Sequence, residues 1–450
     1  MQIKQLDRKL TFFPLTNIVI ANMIGAGIFT TSGLLMRDLQ NPGVMLLLWL
    51  IGGLIALCGA LNYSELGAAI PEAGGEYAFL TRLYHPLVGF LSGWISFIVG
   101  FSAAIAASSI GFSEYLFSAL PLSDGRPESV IWLKKIISVA VIALFTCIHL
   151  RGIKFSAGVQ NFLTILKIIL IIGLICLGFT AGEGQWQHLF QVKAPAFNFA
   201  YLKTVGLSLM WILFAYSGWN AATYIGSEIK NPGKNVPLSL LSGTGLVMLL
   251  YFLLNLFFVY AVNPEQMKGI ISITSLAASH AFGRAMGSII SLIIAFALFS
   301  SLSAFVILGP RVYFAMGRDG VFFHSLSQIH PRFHVPSKAI LLQGIISSCL
   351  VLTGSFDQIL SYLGFSLGIF PILAVFGVFK LRREKWGMLK MPGYPLTTLI
   401  YLLTGTTILI LAFLERPIES GTAIITVISG IPVYLIFKKR SGENKNQEND

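Results

Sequence analysis

Charge is scarce in this sequence. Only 11% of its 450 residues are Asp, Glu, Lys or Arg, less than half of the roughly 25% typical of soluble domains. With 55% hydrophobic residues, the chain is excluded from the water-soluble class and reads as a polytopic membrane protein. Acidic residues are the rarer sign, 19 against 31 basic ones. The net charge of +12 is spread over short hydrophilic segments with no dense basic and aromatic stripe, which argues against a nucleic-acid partner. Cysteine is nearly absent. Cys58, Cys147, Cys176 and Cys349 fall inside apolar runs at spacings that suit neither a metal site nor a disulfide framework, so redox chemistry, a metal and a cofactor are not expected. No small-residue cleavage site follows Lys4, Arg8 and Lys9, and the first apolar segment is expected to be retained.

Apolar runs are what the sequence has in quantity. At about 20 residues per span, helices are predicted over 12–36, 43–68, 84–117, 130–150, 155–180, 200–227, 236–262, 285–315, 336–354, 356–380, 396–414 and 420–438. Alternating the intervening segments between two sides places 21 basic residues with the N-terminus and nine opposite, leaving Lys167 within the membrane. The positive-inside rule then puts both termini in the cytoplasm, in a multi-pass protein of the cell membrane. The tail Ser441–Asp450 reads as disordered. The hydrophilic connections near 118–129, 181–199, 263–284 and 316–335 have room for short gating helices.

Two of the apolar runs are interrupted. Gly25 and Gly27 stand inside Ile18–Phe29, where each lowers helix stability by roughly 1 kcal/mol relative to alanine. Phe214-Ala215-Tyr216-Ser217-Gly218-Trp219-Asn220 opens the sixth run in a similar way. Lipid cannot satisfy freed backbone groups, so such a break must line a cavity or be buried in protein. Spans 1–5 and 6–10 each begin with a break, and because five is odd the second set enters the membrane inverted. Paired breaks of this kind point to a transporter's substrate site.

These residues resemble a known family. Gly25-Ala26-Gly27-Ile28-Phe29 is similar to the G-[SA]-G-I-F signature of the amino acid–polyamine–organocation superfamily. The break at 214–220 resembles that of its L-type amino acid transporters. Pro71-Glu72-Ala73-Gly74-Gly75-Glu76-Tyr77, Ser227-Glu228-Ile229-Lys230-Asn231-Pro232 and Arg318-Asp319-Gly320 extend the likeness over nearly the whole chain. The resemblance implies an all-α leucine-transporter fold: a core over 12–380 with a five-plus-five inverted repeat, accessory spans over 381–438, and cytoplasmic ends at 1–11 and 439–450.

An amino acid needs donors for its carboxylate and acceptors for its ammonium. The half-helix after Gly25 offers free N–H groups and a positive dipole end, and the half-helix ending near Tyr216 offers carbonyls that Gly218 lets a ligand approach. The candidate substrate site is Ile24, Gly25, Ala26, Gly27, Phe214, Ala215, Tyr216, Ser217, Gly218 and Asn220, with Trp219 beside it. Glycines in membrane helices also serve tight packing. Lys167, mid-way along span five, is an intramembrane ionisable group and therefore a functional candidate. The resemblance implies that its ammonium takes the place of the sodium ion of sodium-coupled relatives, near the span-one carbonyls and Ser300, Ser301 and Ser303. It also implies that Tyr251 and Asn255 link the site to Lys167. Asn22 departs from the family's small or apolar residues there.

Two further patterns carry no chemistry. Gly364-Phe365-Ser366-Leu367-Gly368 matches G-x-S-x-G without triad partners, and His324, His330 and His334 lack a completing ligand. The chain is not read as an enzyme. With Glu65, Glu114 and Glu228 at predicted helix ends, no carboxylate stands at membrane depth, which favours neutral substrates. The leading expectation is sodium-independent exchange of neutral amino acids. Proton-coupled uptake through Lys167 is the alternative, and a non-transporting sensor is a third. The implied partners are an amino acid and the lipid bilayer.

Overall fold

The computed structural model describes residues 6–119, 127–190, 198–353, 356–387 and 389–447. Among the described residues, ten helices are long and apolar enough to cross a membrane: Phe12–Leu39, Pro42–Ala69, Pro86–Phe117, Glu128–His149, Ile153–Thr180, Phe199–Tyr216, Pro232–Ala261, Arg284–Arg318, Leu396–Glu415 and Ser420–Lys439. Ser337–Thr353 and Phe356–Arg383 occupy the predicted ninth and tenth places. We number the twelve as spans 1 to 12.

Local chemistry sets their starts. Pro42, Pro86 and Pro232 stand in the first turn of their helices, where a missing N–H loses nothing and φ is already helical. The Asn41 and Asn198 side chains accept from Val44 and Tyr201 N–H, satisfying donors that the helix cannot. Span 3 contains a π-helical turn at Ser96–Gly100, a local widening often found at functional positions.

The first four helices of one five-helix set pack against their counterparts in the other. Span 2 packs chiefly on span 7 and span 3 on span 8, while spans 1 and 6 meet at their breaks. The leucine-transporter fold is thus built from equivalent helices of two halves, with spans 11 and 12 outside the repeat. On the face that carries the N-terminus, the chain is tied down. Lys9 and Leu10 N–H donate to the Glu228 carbonyl, both at 2.9 Å, and Lys230 N–H returns to Leu10 at 2.8 Å. Ala73 pairs with Ile225. On the opposite face, Gly269 N–H donates to Gly33 at 2.8 Å, and the 263–284 connection carries the helices Pro264–Met267 and Ile273–Phe282.

The structure corrects several sequence expectations. Span 6 does not resume as an α-helix to residue 227. It stops at Tyr216 and continues as two 3₁₀ turns, Ala221–Tyr224 and Gly226–Glu228, because this stretch is held by pairing with Ala73 and Leu10 rather than by its own ladder. A helix over Glu76–Leu83 was not anticipated. The final helix, Pro417–Gln447, runs through most of the stretch read as disordered, since extending an existing helix needs no new nucleus. The 118–129 connection lies largely outside the described residues.

Arg311 falls within the predicted span 285–315 although the charge tally counts it with the loop cations. It is buried inside span 8, and its Nε donates to Glu228 Oε1 at 2.8 Å with both side chains at most 2% exposed. Removing one partner strands a buried charge, an effect of about 3–5 kcal/mol, whereas removing both is far milder. Arg311→Met and Glu228→Gln should therefore each lower the detergent-solubilised melting temperature more than the double substitution does, as read by a thermal-shift assay.

Candidate functional site

The first break is compact. Span 1 runs helically to Met23, Ile24 closes it with N–H to Ile20, and Gly25 precedes a new helix starting at Ala26 without a side-chain cap. The first N–H groups of that second helix consequently have no intrahelical partner. A Cβ on Gly25 would meet nothing within 4 Å, whereas one on Gly27 would lie 2.8 Å from Ala215 Cα. Gly27 is thus the crossing point of the two breaks, and Gly25 borders open space. In the second break Gly218 has φ +98°, and a Cβ there would fall 2.8 Å from the Asn22 backbone. Glycine is required on both counts.

Together the breaks line a cavity of about 210 Å³. Gly25, Ala26, Gly27, Phe214, Ala215, Ser217, Gly218 and Asn220 border it, as do Asn22 and Trp219. Ile24 and Tyr216, predicted with them, do not. The Tyr216 hydroxyl instead donates to the Trp49 carbonyl at 3.0 Å, and its ring lies between Trp49 and Tyr251. Serines 92, 96 and 108 from span 3, with apolar side chains of spans 8, 10 and 11, complete the wall.

Ile24 turns away from the cavity because its carbonyl is taken from behind. Lys167 Nζ donates to it at 2.6 Å and to Ser301 Oγ at 2.9 Å, while Ser301 Oγ also donates to Ile24 at 2.7 Å. Lys167 is 1% exposed. Span 5, span 8 and the first break are thereby joined through one closed triangle. Ser300 and Ser303, expected in the same cluster, point elsewhere: Ser300 to Gln160 and Thr164, Ser303 to His149 Nε2 at 3.0 Å. The Tyr251 hydroxyl lies 2.7 Å from the Met23 carbonyl and 3.1 Å from that of Ala215, so it touches both breaks at once. Asn255 does not extend this link toward Lys167, since its side chain pairs with Ser32 and with the Tyr251 carbonyl. Asn22 Nδ2 reaches the Gly218 carbonyl at 3.4 Å, a further bridge between the breaks.

The serines of span 3 and the apolar wall residues are not among the residues expected from the sequence, and neither is a carboxylate. Glu76 borders the cavity although no charge analysis of the spans could find it. It belongs to a connection in the sequence, and only the turn at Gly74 and Gly75, with φ +108° and +54°, folds that connection back beneath the second break. The signal available was the glycine pair itself, which marks a sharp reversal.

The chain is 30% identical over 434 residues to the serine/threonine exchanger SteT of Bacillus subtilis, covering 95% of this chain and 96% of that one. It is 27% identical to the human cystine/glutamate transporter over 96% of this chain and 86% of the relative. It is also 27% identical to the human large neutral amino acids transporter small subunit 2, over 93% and 78% respectively. The amino acid permease family matches residues 10–437, nearly the whole chain and every element of the site. The protein therefore belongs to the amino acid permease family of membrane transporters.

Proposed function

We propose that this chain exchanges neutral amino acids across the cell membrane by alternating access, without sodium, and with both termini in the cytoplasm. The substrate sits in the cavity between the two breaks. Its carboxylate meets the free N–H groups after Gly25, and its ammonium meets carbonyls at the end of the Phe199–Tyr216 helix. The observation that carries the reading is the Lys167 ammonium seated on the Ile24 carbonyl at 2.6 Å, a fixed cation at the broken helix that makes a bound metal cation redundant. The names of the relatives, exchangers and transporters of amino acids, support the same class.

Proton-coupled uptake is the second reading, and one observation favours it. The buried Lys167 ammonium has a carbonyl and a hydroxyl as acceptors but no carboxylate among the described residues, so its charge is solvated without being neutralised. Reconstitution into proteoliposomes separates the two. Exchange requires substrate inside and proceeds equally with and without sodium or a proton gradient. Accumulation into empty vesicles driven by an imposed proton gradient would favour the second reading, and a strict sodium requirement would defeat both.

Two sets of variants follow. Gly25→Ala meets no protein atom, so it should keep the wild-type melting temperature while weakening substrate binding at least about tenfold, roughly 1.4 kcal/mol, because the methyl enters the cavity. Gly218→Ala should instead lower the melting temperature, since it combines a positive φ with a backbone clash. Lys167→Ala should still reach the membrane. Loss of charge-assisted bonds of about 1.5–3 kcal/mol predicts a fall in exchange rate of roughly 10- to 100-fold, measured as radiolabelled substrate uptake per unit of reconstituted protein.

A further inference from the structure

Three carboxylates are buried near the face that carries the N-terminus. Glu65, Glu76 and Glu228 are 3%, 6% and 0% exposed. Two of them have an arginine: Glu228 pairs with Arg311 and Glu65 with Arg382. Glu76 is ion-paired with no cation among the described residues. Its Oε1 accepts from the Tyr63 hydroxyl at 2.8 Å and from Asn220 Nδ2 at 2.7 Å, and the Tyr224 hydroxyl is a third partner. The Tyr401 hydroxyl of span 11 lies close enough to feel its charge. The charged groups on other neighbouring elements are engaged elsewhere, Asp319 at the end of span 8 with Tyr77 and Lys380 of span 10 with the Leu83 carbonyl.

The position is as telling as the partners. Glu76 opens the Glu76–Leu83 helix, and its bond to Asn220 closes the seam between that helix and the turns after span 6. The backbone on either side is stitched by Gly74 N–H to the Tyr224 carbonyl at 2.9 Å. The same residue borders the cavity. A carboxyl in this setting is between the proposed substrate space and the aqueous phase on the N-terminal face.

We propose that Glu76 is a proton-binding site built into this seam, protonated while the seam is shut and ionised when the seam opens to water. A buried carboxylate without a cation is strongly disfavoured, and the proton is the charge that Glu65 and Glu228 find in arginine. On opening, the Glu76 O–H bond breaks, its proton passes to the entering water, and the carboxylate keeps its hydroxyl and amide donors or exchanges them for water. Burial pushes the Glu76 carboxyl up from the usual carboxylate range, against the pull of the three donors. The sign follows: protonation stabilises the shut seam fully below the ordinary carboxylate pKa, and this stabilisation is lost as pH on that face rises through the elevated value of the shut state. Acid on the N-terminal face therefore holds the seam shut.

The test has two arms. In the purified full-length chain in lipid, infrared spectroscopy at about neutral pH should show the carbonyl band of a protonated carboxylic acid, and Glu76→Gln should remove it. In proteoliposomes of known sidedness, lowering pH on the N-terminal face from about 8 to about 5 should slow wild-type exchange about fivefold or more, and Glu76→Gln by less than about twofold. The second arm rests on the proposed exchange activity; the first does not, so the two readings can fail separately. Absence of the band from the unmodified chain, or its survival in Glu76→Gln, overturns the proposal. So does an unaltered pH profile in Glu76→Gln. Competition by lysine that depends on Glu76 would also overturn it, because the carboxyl would then be receiving a substrate cation rather than a proton.

Discussion

An unwound helix at membrane depth leaves backbone carbonyls and N–H groups that neither lipid nor the helix can satisfy, and this structure is arranged around that requirement. The Met23 and Ala215 carbonyls share the Tyr251 hydroxyl. The Ile24 carbonyl takes Lys167 and Ser301. The Gly218 carbonyl takes Ala221 N–H and the Asn22 carboxamide. Spans 5, 7 and 8 each contribute a polar side chain at the level of the breaks, and for that reason the polar residues of an otherwise apolar bundle gather there.

The same bonds make the two breaks one mechanical unit. Gly27 lies against Ala215 with no room for a methyl between them, so the second half of span 1 cannot shift without moving the end of the Phe199–Tyr216 helix. Tyr251 clamps the carbonyls on either side of this contact. Lys167 then fastens the pair to spans 5 and 8 through a single carbonyl. A ligand bridging the N–H groups after Gly25 and the carbonyls before Gly218 would load this unit from its open side, opposite Lys167.

Much of this was legible in the sequence. Twelve apolar runs gave twelve helices, most with ends within a few residues of those predicted, because length and hydropathy are dictated by the bilayer alone. The glycines of both breaks marked the cavity, since each departs from what a continuous helix tolerates. Contacts that depend on tertiary approach were not legible. The resemblance pointed Lys167 toward the span-one carbonyls, but nothing in the sequence singles out that of Ile24 or shows that the Ile24 residue stays off the cavity wall. Arg311, near the end of the predicted span 285–315, was tallied with the loop cations because its partner lies 83 positions away in sequence, and a charge is recognised as buried only once that partner is known. Glu76 was invisible for a similar reason: a short connection is presumed wet, and only the reversal at Gly74 and Gly75 turns it inward.

The seal on the N-terminal face is graded in strength from rim to interior. At its rim, Glu72 pairs with Arg82 at 2.9 Å and with Arg318 at 3.3 Å, all of them partly exposed; such pairs contribute about 0–1 kcal/mol each. Deeper in, Arg311 and Glu228 are dry, and parting them without water would cost several kcal/mol. Hydration changes this balance, because the attraction between unit charges at about 4 Å falls from roughly 4 kcal/mol at an effective dielectric of 20 to roughly 1 in water. Contact with water therefore lowers the cost of parting Arg311 from Glu228, whereas the pairs of Glu72 are already hydrated. A spontaneous fluctuation that disturbs the rim alone leaves the inner pair closed. The Arg311–Glu228 pair is therefore the stronger tie across this face, and the exposed pairs the weaker.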